Sequence, residues 1–268
     1  MQNISLSTRA KAWARRISDP SFTPELMRRA RRKLLETVKG KDPRTESCKD
    51  WCASVGIKGE EFLKGHGVFD ETLKKYAAFE AAEAPKAQQK LNDSGMTQDI
   101  GAANMQVLYC LAEHHDAADI LETGVAYAWS SLAILHSLHS RDKGHLISND
   151  LPPTANFIED YIGMLVPEEM KSRWTFIRGA DRESLQKIHA DGKRFDLMHY
   201  DSDKTYEGRR WSYAFIYDHL LKPGGILMSD DIDDNYGFKD FCDEKGLTPV
   251  IIDDTENNKY EGIIFKPS

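Results

Sequence analysis

The stretch FDLMHYDSDKTYEG, residues 195–208, ends a run of strand-forming residues on Asp201, Asp203 and Lys204. A second apolar run, GGILMSDDIDD, ends on Asp230 and Asp231. If the two runs are neighbouring parallel strands, their tips lie about 5 Å apart, and Asp201, Asp230 and Asp231 crowd together. Carboxylates that close repel one another unless a cation sits among them. Oxygen ligands with no paired Cys or His favour Mg2+, Mn2+ or Ca2+ over zinc. The plainer alternative is an acidic rim turned to water. Lys204, three residues after Asp201, either neutralises that rim or, beside a divalent cation that disfavours its ammonium, acts as a neutral amine that takes a proton from a hydroxyl.

Other strand ends also carry ligand-binding chemistry. LETGVAYAWSSLAIL places Glu122 and Gly124 at a strand end and Ala126, Trp129 and Ser130 in the turn to a helix. A glycine there admits close backbone approach, and the helix N-terminus offers free N–H groups to an anion. Of a dinucleotide G-x-G-x-x-G pattern only Gly124 is present, so an ordinary strand-to-helix turn is an equal reading. Asp150 closes the next strand, where an acid in nucleoside-binding α/β folds accepts hydrogen bonds from ribose hydroxyls; loop solvation is its alternative. RGADRESL puts Ala180 and Asp181 at a third end, where Asp181 either binds an adenine amino group or caps the following helix. Taken together, these ends point to an adenosine-containing cofactor.

Such tips must be held by alternating strands and helices, and from about residue 96 the sequence alternates in that way. ADILETG, GHLISND, WTFIRG, FDLMHYD and GILMSDD read as strands separated by helical stretches, with DIGAANMQVLYCLAEHH as a helix before them and ANFIEDYIGML and EEMKSR helical within. TPVIID and YEGIIFKP close the chain across a loop too short for a crossover, which predicts an antiparallel pair. The fold class is α/β, a mostly parallel sheet of seven strands with helices on both faces and a terminal antiparallel hairpin. Residues 1–95 read as a helical extension, a lid or an oligomerisation element, broken near KGHG and at Pro85 and without strand alternation.

At 268 residues, 40% of them hydrophobic, the chain can bury a core without disulfide support. Cys48, Cys52, Cys110 and Cys242 make no zinc spacing and read as reduced structural residues. No apolar run is long enough to span a membrane, and the amino terminus lacks the apolar core of a signal peptide, so a cytoplasmic location is expected. Residues 1–41 carry eleven Lys/Arg against three acids within a chain of net charge −7, which attaches a basic arm to an acidic body. That arm could bind RNA phosphates, but the acidic body would repel nucleic acid. His114 with His115 and His136 with His139 read as structural or exposed, and His199 as a core or supporting residue beside the acidic end.

Residues 95–268 resemble the class I S-adenosylmethionine (SAM)-dependent methyltransferases, which are Rossmann-like, and within them the cation-dependent O-methyltransferases of the catechol and caffeoyl-CoA type. The resemblance rests on GMTQDIGAANMQVL, ILETGVAYAWSSL, ISNDLP, RGADRESL, DSDKTY and LLKPGGILMSDD. Asp-x-x-Lys followed by an acid doublet is its most specific element. It implies that Glu122 and Gly124 face the methionine end of SAM, Ser130 its carboxylate, Asp150 the ribose and Asp181 the adenine. Met96 and Gln98 match a segment that covers the cofactor, and Ala126, Trp129, Ala180 and Asp201 complete its lining. Asp201, Asp230 and Asp231 match ligands of Mg2+ (or Mn2+ or Ca2+), and Lys204 matches the general base. The Asp-Asp doublet, where the family usually has Asp-Asn, is more similar to bacterial sugar and macrolide O-methyltransferases, and two loop glycines of the family are Ala126 and Ala128 here. The expected activity is metal-dependent O-methylation of a small-molecule hydroxyl by a homo-oligomer, the acceptor being catechol-like, a sugar or a natural product. RNA methylation through the arm and SAM binding without catalysis are the alternatives.

Overall fold

The structure, a computed structural model, describes residues 22–39, 43–95, 103–151 and 159–268. Among them the strands are β1 (Ile57–Lys58), β2 (Asp119–Thr123), β3 (His145–Asp150), β4 (Trp174–Arg178), β5 (Phe195–Tyr200), β6 (Leu221–Ser229), β7 (Val250–Asp254) and β8 (Lys259–Phe265). They form one sheet in the order β1-β7-β8-β6-β5-β2-β3-β4. Only β8 runs antiparallel to its neighbours, β6 and β7. The seven expected strands are all present, and β1 is an eighth, inside the region read as wholly helical. Two residues are too few to show alternation; they are strand because Ile57 and Lys58 pair with Ile252 and Asp253 at the sheet edge.

Successive side chains of a strand point to opposite faces, so each central strand feeds two cores. Ile120, Leu197, Ile226, Met228 and Ile263 pack into one core, against α3 (Gly59–Gly65), α4 (Asp70–Asp93), α5 (Met105–His114) and α6 (Trp129–Ser140). Leu121, Met198, Leu227 and Ile264 pack into the other, with α2 (Thr45–Val55), α7 (Asp181–Ala190), α8 (Tyr206–Phe215) and α9 (Gly237–Lys245). Burial on both faces explains why the parallel strands read as near-continuous apolar runs. Phe62, Tyr76, Phe79 and Leu91 share a cluster with Leu108, Ile120 and Leu135, so residues 59–93 build the same core as the sheet.

The break expected at Pro85 does not occur: α4 runs unbroken through it. Pro85 and Ala81 are exposed, so water can serve the Ala81 carbonyl that loses its helical donor. Phe79 and Leu91, buried on either side of the proline, hold both halves against the core. EEMKSR is a 3-10 helix, and of ANFIEDYIGML only Glu159–Tyr161, a 3-10 turn, is regular among the described residues. Met96 and Gln98 lie outside the described residues.

β2 pairs with β3 on one side and β5 on the other. The order in which strands are added along the sheet reverses there, though all three run parallel, which opens a crevice beyond the carboxyl ends of β2 and β5. Gly124, at φ 82°, lies in it so close to the tip of β5 that a Cβ would stand 2.1 Å from the Asp201 carbonyl oxygen. No L side chain can be placed there without separating the two strand ends. Gly124→Ala should therefore lower stability by about 2 kcal/mol or more, the left-handed strain and the clash adding, as a urea unfolding midpoint would report.

Candidate active site

A cavity of about 900 Å3 opens at this crevice. Gly124, Ala126, Trp129, Ser130, Asp150, Ala180, Asp181, Asp201, Lys204, Asp230 and Asp231 all line it. The sequence-selected residues that are described thus converge on one space, with a single exception.

The exception is Glu122. It shares a strand face with Ile120, and its fully buried carboxylate points under the loop instead of into the cavity. There it accepts hydrogen bonds from Ser130 Oγ (2.6 Å), Ser131 Oγ (2.5 Å) and Ser148 Oγ (2.8 Å). The expectation that Glu122 faces a cofactor is corrected: it fastens the start of α6 to β2 and β3. His199 Nδ1 lies 3.7 Å away. Burial works against the His199 imidazolium, but Glu122, Asp201 and Asp230 outweigh it and hold its pKa above the ordinary value.

Asp150 Oδ2 accepts from the backbone N–H groups of Val125 and Ala126, both at 2.9 Å. This fixes the loop after β2. Ala126 (φ 46°) and Ala128 (φ 83°) keep the left-handed backbone natural to glycine, and the strain, of order 1 kcal/mol each, is sustained by neighbours. Gly163 N–H donates to the Ala126 carbonyl at 2.9 Å and Leu165 N–H to that of Tyr127 at 3.0 Å. Asp181 opens α7 and is held by Asn149 Nδ2 (3.1 Å), Ser202 Oγ (2.5 Å) and Tyr200 OH (3.4 Å). Burial pushes its carboxyl up to about 6, against the lowering effect of the Ser202 bond.

The acids at the tips of β5 and β6 are together: one oxygen from each of Asp201, Asp230 and Asp231 lies within 4.8 Å of the other two. Two ammonium groups answer them. Lys204 Nζ bonds to Asp231 Oδ2 and stands 3.0 Å from Asp201 Oδ1 as an ion pair; Lys259 Nζ donates to Asp230 Oδ2 at 2.9 Å. Burial pushes the Asp201 carboxyl up to about 7, and the Asp230 charge adds to this. Burial opposes the Lys204 ammonium, yet Asp201, Asp231 and Asp230 prevail and raise its pKa. Lys204 is thus a charged partner of the acids. Among the described residues, buried Asp230 Oδ1 has no hydrogen-bond donor, and Asp201 Oδ1 has the Lys204 charge nearby without an aligned hydrogen bond. Oxygens so placed, in an oxygen-only set, fit a hard divalent cation.

The backbone beneath this cluster is fixed by Arg209 of α8, fully buried, whose Nη2 donates to the carbonyls of Asp231 (2.6 Å) and Asp230 (3.4 Å). Glu261 is also fully buried beside Asp230. Burial first, then the Asp230 charge, drives its carboxyl far above the usual range. It accepts the backbone N–H of Asn104, the N-cap of α5.

The outer wall comes from α1 (Thr23–Lys39), whose Arg28, Arg29, Arg32 and Lys33 line the cavity. Arg28 makes a bidentate bond to Glu183 (2.9 and 2.7 Å), and Arg32 reaches Asp203 Oδ2 at 2.7 Å. Asp203, singled out as a strand-end acid, therefore anchors this helix. Sequence reasoning missed Lys259, Glu261, Arg209 and Arg32. For the first two a signal existed: Lys259, Glu261 and Ile263 alternate in the closing strand, which puts two charges on a core-facing side.

Residues 121–232 match the family described as a methyltransferase domain. The solved structure of the O-methyltransferase TomG from Streptomyces achromogenes, involved in tomaymycin synthesis and in complex with SAM, is similar at 16% identity with a TM-score of 0.56, over 70% of this chain and 90% of that one. An O-methyltransferase from Bacillus cereus in complex with SAH is similar at 18% identity with a TM-score of 0.53, over 68% and 88%. Comparison with curated protein sequences gives no match. The α/β fold is the one these O-methyltransferases share, and the residues that match the family run from within β2 to just past the tip of β6.

Lys259→Met leaves the Asp230 carboxylate buried without the ammonium that bonds it. The substitution should cost about 3 kcal/mol of unfolding free energy, since breaking one half of a buried pair strands the other. Adding Asp230→Asn should restore part of the loss in the same denaturant titration.

Proposed function

We propose that this protein is a SAM-dependent O-methyltransferase that acts on the hydroxyl of a small molecule with the help of a divalent cation. The carrying observation is that one cavity joins the loop after β2, Asp150 and Asp181 to the acid cluster with Lys204. The similar O-methyltransferases solved with SAM or SAH support the cofactor.

SAM, when bound, supplies an electrophilic methyl group. The loop at Gly124 brings backbone against it, and the N-terminus of α6 at Ser130 favours its carboxylate. Asp150 would accept from the ribose hydroxyls, and Asp181 would meet the adenine, where its raised pKa lets it act as donor or acceptor. A divalent cation, held by Asp201, Asp230 and Asp231, would lower the pKa of an acceptor hydroxyl. Trp129 and Trp211 give the space apolar walls, and α1 restricts access to it. Lys204 Nζ is the group placed to receive the hydroxyl proton once the acid charge that keeps it protonated is offset. Methyl transfer then depends on positioning, as for other reactions in which two reactants are held in line.

The RNA reading finds less support, because Arg28 and Arg32 of the basic arm are engaged with Glu183 and Asp203 of the same chain. The acceptor we propose is a small molecule of catechol, sugar or natural-product type.

With SAM and a panel of such acceptors, methyl transfer should require Mg2+ or Mn2+ and stop in EDTA. Asp201→Ala should abolish turnover while SAM binding stays measurable by calorimetry. Turnover that persists in EDTA would remove the cation from the reaction. SAM binding with no turnover on any acceptor would leave a cofactor-binding protein.

A further inference from the structure

Away from the cavity, three histidines meet where two helices end. His66 caps the C-terminus of α3, His114 is the last residue of α5 and His115 its C-cap. One ring nitrogen of each lies within 4.8 Å of the other two, and His66 Nε2 is 2.9 Å from His115 Nε2. Aromatic rings back the group: His66 stacks on Phe62 and Phe265, with centroids 5.3 and 4.8 Å apart. His115 is exposed. Phe265 pairs with Ile226 on β6, whereas the cavity-facing end of β6 is Ser229, paired with Gly262. The cluster therefore belongs to the other end of the sheet.

Its chemistry is that of neutral imidazole. A hydrogen bond between His66 and His115 needs one N–H and one lone pair, so the pair cannot carry two charges. Burial pushes both below the ordinary histidine value, His115 to about 4 with His66 and His114 adding to the effect. No acid pairs with the three rings among the described residues. Mg2+ and Ca2+, which want oxygen, are excluded; Zn2+, Ni2+ and Cu2+ accept neutral imidazole. In a tetrahedral zinc site with Zn–N near 2.05 Å, ligand nitrogens stand about 3.4 Å apart. The observed 2.9 Å pair and the separations of no more than 4.8 Å across the group bracket that spacing.

We propose that His66, His114 and His115 form a binding site for one divalent transition metal of the imidazole-preferring class, separate from the acid cluster and with water at its exposed position. Binding replaces the His66–His115 hydrogen bond. Its hydrogen moves to Nδ1 of the same ring, which frees the Nε2 lone pair without net proton release. The ion ties the end of α3 to the end of α5 beneath β8.

Zinc is the probe, titrated by calorimetry near neutral pH into the full chain carrying Asp201→Asn, which disables the acid cluster as a competing site. One equivalent should bind. His115→Ala in the same background, a change at an exposed residue, should weaken binding by about 100-fold or more, beyond the loss usual for a supporting residue. His114→Gln should do likewise, and it keeps the test open if His115→Ala fails to fold. Zinc should also raise the thermal midpoint of the Asp201→Asn protein and not of either histidine variant. Failure of the Asp201→Asn protein to bind zinc, or undiminished affinity in the two histidine variants, would overturn the proposal.

Discussion

Charge compensation at the tips of β5, β6 and β8 is the constraint on which the rest of the structure depends. Asp201, Asp230 and Asp231 lie together with Lys204 and Lys259 interleaved. Stripping water from such groups costs several kcal/mol per ion unless the partners are well placed. Placement is supplied from below by Arg209, which fixes the peptide carbonyls after β6, and from the side by β8, which delivers Lys259. The same carboxylates that need these partners are those a divalent cation would bind, so the lysines and a metal would act on one set of charges.

The loop wall of the cavity is not independent of the acids. Gly124 rests on the Asp201 carbonyl, and Asp201 N–H donates to the Thr123 carbonyl at 2.8 Å. A shift of the loop after β2 is therefore a shift of Asp201. Asp150, by gripping two peptide N–H groups of that loop, holds Ala126 and Ala128 in conformations they would not adopt alone. The rigidity of the cavity floor comes from these few polar bonds above a sheet packed on both faces.

The central strands and the residues at their tips are legible in the sequence because a doubly covered parallel sheet forces long apolar runs that end abruptly at polar tips. Gly124, Asp150, Asp181, Asp201, Asp230 and Asp231 emerge in this way. Glu122 misleads because proximity to the strand end suggests the cavity, whereas strand parity turns it toward the serines of α6 and β3. Lys259 and Glu261 become relevant only when β8 inserts beside β6, a pairing that no local pattern announces. β1 is too short to carry a period, and Pro85 does not break α4 because packing on both sides outweighs a lost hydrogen bond. The place of α1 on the cavity wall depends on ion pairs to Glu183 and Asp203, more than 150 residues away. The meeting of His66 with His114 and His115 is likewise a matter of tertiary placement.

β8 lies between β6 and β7 although it follows both in the chain. Until it arrives, β6 presents a raw edge and Asp230 lacks the Lys259 ammonium that bonds it. The last strand to be synthesised is thus an inner strand of the sheet. Pairings of this long-range kind form slowly. Closure of the sheet and delivery of Lys259 to Asp230 are therefore one event, since both depend on β8.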